Sequence, residues 1–322
     1  EQVSAIWMVT AAISVYCIAY RFYSLYIANR VMQLDPNRLT PAERHNDGLD
    51  YVPTHKGVLF GHHFAAIAGA GPLVGPVLAA QMGYLPGTLW IIFGVVFAGA
   101  VQDMMVLFVS MRRDGKSLGD IVKQELGTVP GVIASIGILM IMVIIMAVLA
   151  LIVVKALVHS PWGTFTIAAT MPNALFMGIY TRYIRPGKIG EISIVGFILL
   201  MLAVIYGEDV AHSSFGHWFD LDGIQLTWAI MIYGFVASVL PVWLLLTPRD
   251  YLSTFLKIGT IAALALGIVI VNPTLQMPAV THFIDGSGPV FSGALFPFLF
   301  ITIACGAVSG FHALISSGTT PK

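Results

Sequence analysis

Nine apolar stretches alternate with polar gaps along this chain, at 4–27, 58–82, 88–111, 132–157, 165–180, 192–206, 226–246, 258–271 and 293–316. Most approach or exceed the length of about 20 residues that a helix needs to cross a bilayer core. The basic residues fall in every second gap. Arg21, Arg30, Arg38, Arg44 and Lys56 accompany the end of the first stretch; Arg112, Arg113, Lys116 and Lys123 follow the third. Arg182, Arg185 and Lys188 follow the fifth, Arg249 and Lys257 the seventh, and Lys322 the ninth, with Lys155 alone out of pattern. Positive charge is retained on the cytoplasmic side. The alternation therefore predicts an all-α polytopic transmembrane bundle of about nine segments, a single transmembrane domain over 1–322. Its N-terminus faces outward and its Lys/Arg-rich loops face the cytoplasm.

Composition agrees with that class. Of 322 residues, 57% are hydrophobic and 10% charged, against about 25% charged in a soluble domain. Lys+Arg and Asp+Glu are equal at 16 each, which gives no electrostatic footprint for nucleic acid. Outward loops hold Glu208, Asp209, Asp220, Asp222 and Asp285 without a basic residue. Cys17 and Cys305 lie inside apolar stretches and read as small core residues, with no disulfide framework. The chain starts with Glu, on the outward side and without a cleavable signal, and stops directly after a membrane segment. It is therefore expected to be an internal piece of a longer protein, lacking an N-terminal helix and C-terminal helices of the parent.

Three stretches carry breaks. The second contains Gly69, Gly71, Pro72, Gly75 and Pro76 within eight residues; proline removes a backbone donor and glycine lowers the cost of unwinding. The seventh carries Gly234 and Pro241, and the ninth Gly306, Ser309 and Gly310, then Ser316, Ser317, Gly318 and Thr319. Unwound backbone at membrane depth survives only where protein or a water-filled cavity satisfies it, and paired broken helices point to a transport site. The second and seventh segments run in opposite directions, as an inverted repeat requires, though their sequences are not visibly alike.

Ionisable residues inside the stretches are the candidates for chemistry. Asp103 lies about nine residues before Arg112, about 13 Å inside the cytoplasmic end. Such a carboxylate serves either as a proton or ion relay or as a structural group paired with a buried base. His62 and His63 open the broken second stretch and titrate near neutral pH; the alternative is two headgroup-level histidines bonded to water or carbonyls. His312 shares a helical face with Ser309 and Ser316, which would line a polar cavity or simply bond between helices. Lys155 either snorkels or attracts an anion. Glu191 reads as a helix-start residue, and Arg249 with Asp250 as an interfacial pair or a gate. The Gly69-x-Gly71-x-x-x-Gly75 spacing is not the dinucleotide fingerprint, and Gly115-Lys116-Ser117 lacks the upstream glycine of a phosphate loop. No zinc-protease motif or catalytic triad can be assembled, so neither enzymatic activity, a metal nor a cofactor is expected.

The run FGHHFAAIAGAGPLVGP at 60–76 resembles the carbon starvation protein A (CstA) family. The likeness continues in RHNDGLDYVP at 44–53, GAVQD at 99–103, PVWLLLTPRDYLSTFL at 241–256 and the 296–322 segment ending GFHALISSGTTPK. It covers essentially the whole chain. That resemblance implies a bacterial inner-membrane transporter of peptides or pyruvate, active under carbon limitation. It also implies the inverted-repeat fold of the amino acid–polyamine–organocation superfamily, whose first and sixth helices are broken. On that correspondence the unwound backbone around Gly69–Gly75 faces a cation site at Ser316, Ser317 and Thr319.

The expectation is a secondary transporter importing a small organic solute by proton symport, its partners being substrate, coupling proton (or sodium) and the lipid bilayer. Gly69, Gly71, Gly75, Ser309 and His312 would bind substrate, and Asp103, His62 or His63 would carry the proton. A channel or a solute-binding sensor is the alternative.

Overall fold

The computed structural model describes residues 3–48, 50–185, 187–241 and 243–322. Leu49 and Val242, inside two of the family-like motifs, lie outside the described residues. The chain is an all-α helical bundle, with one isolated bridge between Ser4 and Thr274 as the β-type pairing among the described residues. Twelve helices carry the argument. They are α1 (Ala5–Val31), α2 (Lys56–Ile67), α3 (Ala70–Met82), α4 (Tyr84–Arg112), α5 (Leu118–Leu126) and α6 (Thr128–Leu157). The remainder are α7 (Pro161–Ile179), α8 (Ile189–His212), α9 (Gly223–Val239), α10 (Leu246–Val271), α11 (Leu295–Ala307) and α12 (Gly310–Ser316).

Among the described residues, α1, α4, α6, α8, α10 and the span Leu295–Ser316, which takes in α11 and α12, are long and apolar enough to cross a membrane. The bent pair α2–α3 makes a seventh. The protein is multi-pass. Helix α6 shows why: Val132, Ile136, Leu139, Val143, Met146 and Leu151 are all exposed, and a helix apolar on every side belongs in lipid. The predicted stretches 165–180 and 226–246 correspond to α7 and α9, and α9 is short at 17 residues.

Local chemistry sets the helix ends. Ser117 caps α5, a short helix in the basic connection after α4, by accepting from the Asp120 amide. Asp222 and Gln225 form a reciprocal capping box at α9, satisfying two orphan donors. The chain between α3 and α4 turns at Gly83, whose φ of 98° favours glycine, and Pro86 falls in the first turn of α4.

Two boundaries move from the sequence expectation. Helix α1 continues through Arg21 and Arg30 to Val31. More consequentially, the gap that was to hold Arg249 and Lys257 is helical: α9 ends at Val239 and α10 begins at Leu246. Cys17, expected in a core, is exposed on α1.

The helices form two compact units. One comprises Glu1–Leu59, Ala66–Leu139 and Thr260–Lys322; the other comprises Phe60–Ala65 and Met140–Gly259. In the first, Ala79, Met82, Leu299 and Ile303 form a core flanked by Trp90, Phe291 and Phe300. Its helices approach at small residues, as membrane bundles do. A Cβ on Gly75 would strike the Thr302 carbonyl, and one on Gly99 the Ala307 carbonyl. In the second unit, Met177, Ile192, Leu200 and Leu252 join α7, α8 and α10, while Ala174, Ala237 and Leu245 form a smaller cluster.

Candidate functional site

Within the first unit, two helix breaks and one half-buried acid meet. Helix α2 ends at Ile67, and α3 starts at Ala70 after a bend of 42°. Gly69 caps α3 in extended conformation, and nothing lies within 4 Å of where its side chain would project. The ninth stretch breaks as its glycines and serine predict: α11 ends at Ala307, Val308 and Ser309 are extended, and α12 restarts at Gly310. The neighbouring span α4 stays helical through Gln102 and Asp103. Gln102 Nε2 donates to the carbonyl of Ser309 at 2.6 Å, satisfying backbone that the break leaves open.

His312 sits at the centre. Its Nε2 lies 3.2 Å from the Ile67 carbonyl, and its Nδ1 lies 3.2 Å from Asp103 Oδ2. A carbonyl can only accept, so Nε2 carries a hydrogen. Nδ1 then confronts a carboxylate oxygen, and two lone pairs at that distance would repel. A further proton must lie between them, either on Nδ1 as an imidazolium–carboxylate pair or on Oδ2 as a neutral acid donating to Nδ1. In either form a shared proton would leave the pair at zero net charge. Its side chains are 17% and 22% exposed, dry enough to strengthen the interaction and open enough for exchange. Asp103 Oδ1 is buried without a hydrogen bond, so nothing else compensates a charge on this carboxylate.

The remaining candidates are placed as follows. Gly71 and Gly75 face α11; a Cβ on Gly71 would come within 2.6 Å of Cys305 Sγ. Of the three glycines singled out, Gly69 has the open side. Ser309 is buried and its hydroxyl lies 3.5 Å from Cys305 Sγ. Ser316 is fully buried with an unpartnered hydroxyl. Ser317 donates to the Ala313 carbonyl at 2.9 Å, and the next amide, Gly318, donates to Ser110 Oγ at 3.2 Å. Thr319 is exposed. This serine cluster is thus tied to Ser110 on α4, while Gly71 and Gly75 are occupied by α11. Among the described residues no group of three or more His, Cys, Asp and Glu is placed to hold a metal.

The second unit holds a separate polar constellation. His62 Nδ1 lies 3.4 Å from Asp250 Oδ2. Thr254 Oγ1 donates to the Gly61 carbonyl at 2.8 Å, and Lys257 Nζ to the Ala65 carbonyl at 2.5 Å. Asp250, Thr254 and Lys257 stand at i, i+4 and i+7 on one face of α10, facing the carbonyls of Gly61 and Ala65, themselves i and i+4. The Ala65 carbonyl has no amide four residues on to accept from, since Gly69 N bonds to Ile67. Lysine fills that vacancy at the negative end of a helix. His63 lies half-buried on the same helix. Sequence reading did not single out Lys257, because the apolar count began at 258; the i, i+4, i+7 spacing was the available signal.

Outside the spans, loop 44–53 closes on the turn after α4. Asp114 pairs with Arg44, lies 3.2 Å from His45 Nε2, and offers its carbonyl to Tyr51 Oη at 2.7 Å. The hydrogen bond from His45, followed by the charge of Arg44, holds the Asp114 carboxyl below the usual carboxylate range.

Comparison with known proteins places this geometry in a lineage. The peptide transporter CstA of Escherichia coli (strain K12) is 71% identical over 323 residues, covering 100% of this chain and 46% of that protein. The pyruvate/proton symporter BtsT of the same strain is 66% identical over 323 residues, covering 100% of this chain and 45% of that protein. The peptide transporter CstA of Bacillus subtilis (strain 168) is 50% identical over 319 residues, covering 99% of this chain and 53% of that protein. The chain thus spans about half the length of the curated relatives it matches. No solved structure matches it. The family model for carbon starvation protein CstA matches residues 4–322, and this chain belongs to that family.

Proposed function

We propose that this chain is the part of a proton-coupled secondary transporter that carries the proton, importing a small organic nutrient across a bacterial inner membrane. It is not an enzyme in this reading. The observation that carries it is the Asp103–His312 pair, 3.2 Å apart within membrane-length helices. The Ile67 carbonyl fixes the imidazole tautomer, so the pair can load and release one proton without moving far. An intramembrane acid is costly, and such residues commonly mark a relay. The break at Gly69 sits one hydrogen bond away through Ile67, whose carbonyl also accepts from the Gly69 amide at 2.9 Å. Loading the pair would thereby alter the hold on the hinge between α2 and α3.

The substrate reading follows the relatives: peptides for the proteins named as peptide transporters, pyruvate for the named pyruvate/proton symporter. First-turn amides of α3 beside Gly69 would receive an anionic group, with Ser309 and His312 beside it. His62 and His63 are secondary proton candidates. The serines at 316 and 317, with Thr319, are the alternative if sodium is the coupling ion. The acidic loops face the periplasm and the Lys/Arg-rich loops the cytoplasm, by the positive-inside rule.

The test is uptake of labelled pyruvate and of labelled dialanine into proteoliposomes of the full-length protein, with an imposed proton gradient and no sodium. Accumulation of one of them, abolished by Asp103→Asn, is expected. Saturable binding without accumulation, with or without sodium, would replace the transporter by a sensor.

A further inference from the structure

We infer that α7, α8 and α10 enclose a second site, a cavity that binds a small carboxylate anion between Lys257 and Arg249. It shares no residue with the site proposed above and stands or falls independently of it.

The argument begins with depth. Lys257 lies about 16 Å along α10 from Leu246, at about 1.5 Å per residue, in a helix of 26 residues long and apolar enough to span. An ammonium near the middle of such a helix is expensive and is kept for pairing or for a ligand. Arg249 and Asp250 stand two turns earlier on the same side. Together with Thr170, Ser253 and the apolar Ile167, Leu200, Leu252 and Leu256, they line a cavity of about 320 Å³. That is the lower end of the range for small-molecule sites, suited to a ligand of few heavy atoms.

The donors are not used up. An ammonium has three protons and a guanidinium five. Lys257 commits one to the Ala65 carbonyl. Arg249 commits NH1 to Tyr233 Oη at 2.5 Å and lies over that ring at 4.5 Å, which fixes the guanidinium plane. Neither makes a further hydrogen bond among the described residues. On the acceptor side, Asp250 Oδ2 lies 3.4 Å from His62 Nδ1, a proximity without a hydrogen bond, and the Ser253 hydroxyl donates to the Asp250 carbonyl at 2.8 Å. The cavity thus has two cations against one carboxylate, an excess of donors, and apolar walls. A planar monoanion with two acceptor oxygens completes it, one oxygen towards the flat guanidinium and one towards the ammonium. A zwitterion fits less well, because a single carboxylate faces two cations in the lining.

The probe is pyruvate, measured by equilibrium binding to the purified full-length protein in nanodiscs. Lys257→Gln retains an N–H for the Ala65 carbonyl but removes the charge, so it separates helix capping from anion binding. It is expected to weaken pyruvate binding about tenfold to a hundredfold, the loss of a charge-assisted hydrogen bond; Arg249→Gln should do the same. Asp250→Asn should tighten binding, a gain that misfolding cannot imitate. Pyruvate affinity unchanged in Lys257→Gln, or weakened in Asp250→Asn, would overturn the site. Competition by dialanine or chloride as strong as by acetate would overturn the carboxylate assignment. Binding that obeys these expectations in a protein that accumulates neither pyruvate nor dialanine would uphold the site and remove the transporter reading.

Discussion

Asp103→Asn should leave the protein folded and stop proton-driven accumulation. An asparagine at 103 can place its amide nitrogen where Oδ2 stands, 3.2 Å from His312 Nδ1. With Nε2 committed to Ile67, Nδ1 is a lone-pair acceptor, so the amide donates to it without recruiting a proton. The exchange replaces a charge-assisted hydrogen bond, worth about 1.5–3 kcal/mol, with a neutral one worth about 0.5–1.5 kcal/mol. The expected loss of stability is about 1 kcal/mol. The unpartnered Oδ1 becomes a neutral amide oxygen, which is cheaper to bury than a carboxylate oxygen and reduces the loss further. His312→Phe behaves differently. It leaves Asp103 without its base and the Ile67 carbonyl without its imidazole donor, a cost of about 3 kcal/mol for a pair at this exposure. The assay compares thermal unfolding in detergent, gradient-driven uptake and substrate counterflow for the full-length protein. Asp103→Asn should unfold within a few degrees of wild type, show counterflow, and fail to accumulate. His312→Phe should lose both stability and transport. Accumulation by Asp103→Asn at the wild-type rate, or destabilisation equal to that of His312→Phe, would refute the single-proton pair.

Three further expectations follow from geometry elsewhere. Gly99→Ala sets a Cβ against the Ala307 carbonyl and should cost about 1–3 kcal/mol, whereas Gly137→Ala, with nothing within 4 Å on α6, should be close to neutral; thermal unfolding of the two variants checks this. Gln81 accepts from the amides of Val290 and Phe291 at 3.0 and 3.3 Å and donates to the Phe291 carbonyl at 2.9 Å. Gln81→Ala should therefore raise hydrogen exchange at those two amides by about fivefold, for about 1 kcal/mol per lost bond, while leaving α11 protected. Asp114, whose folded-state pKa is lowered, contributes stability that is present above its unfolded value and is lost as pH falls through the folded one. Proteolysis within 44–53 should therefore accelerate only below about pH 4, the ordinary carboxylate range, and Asp114→Asn should be equally susceptible at neutral pH.

Hydrophobic periodicity along the chain was sufficient for class, for the helical character of all nine stretches, and for the breaks at Gly69 and Ser309. These are local properties: apolar length, proline without an amide, glycine without a Cβ. Local polarity misled at 247–257, where Arg249, Asp250 and Lys257 read as a loop. The packing of Leu252 against Met177, Ile192 and Leu200 holds that segment helical instead, and the carbonyls of Gly61 and Ala65 take up its Thr254 and Lys257. Asp103 could be suspected from its burial alone. Its pairing with His312, about two hundred residues later, could not, because nothing in either neighbourhood encodes the other. Tertiary structure also decided that Gly71 and Gly75 serve helix contact and that Gly69 keeps the open side. The division is physical. Solvent preference and backbone freedom belong to each residue wherever it sits, whereas an imidazole and a carboxylate come within 3.2 Å only once two distant helices are packed together.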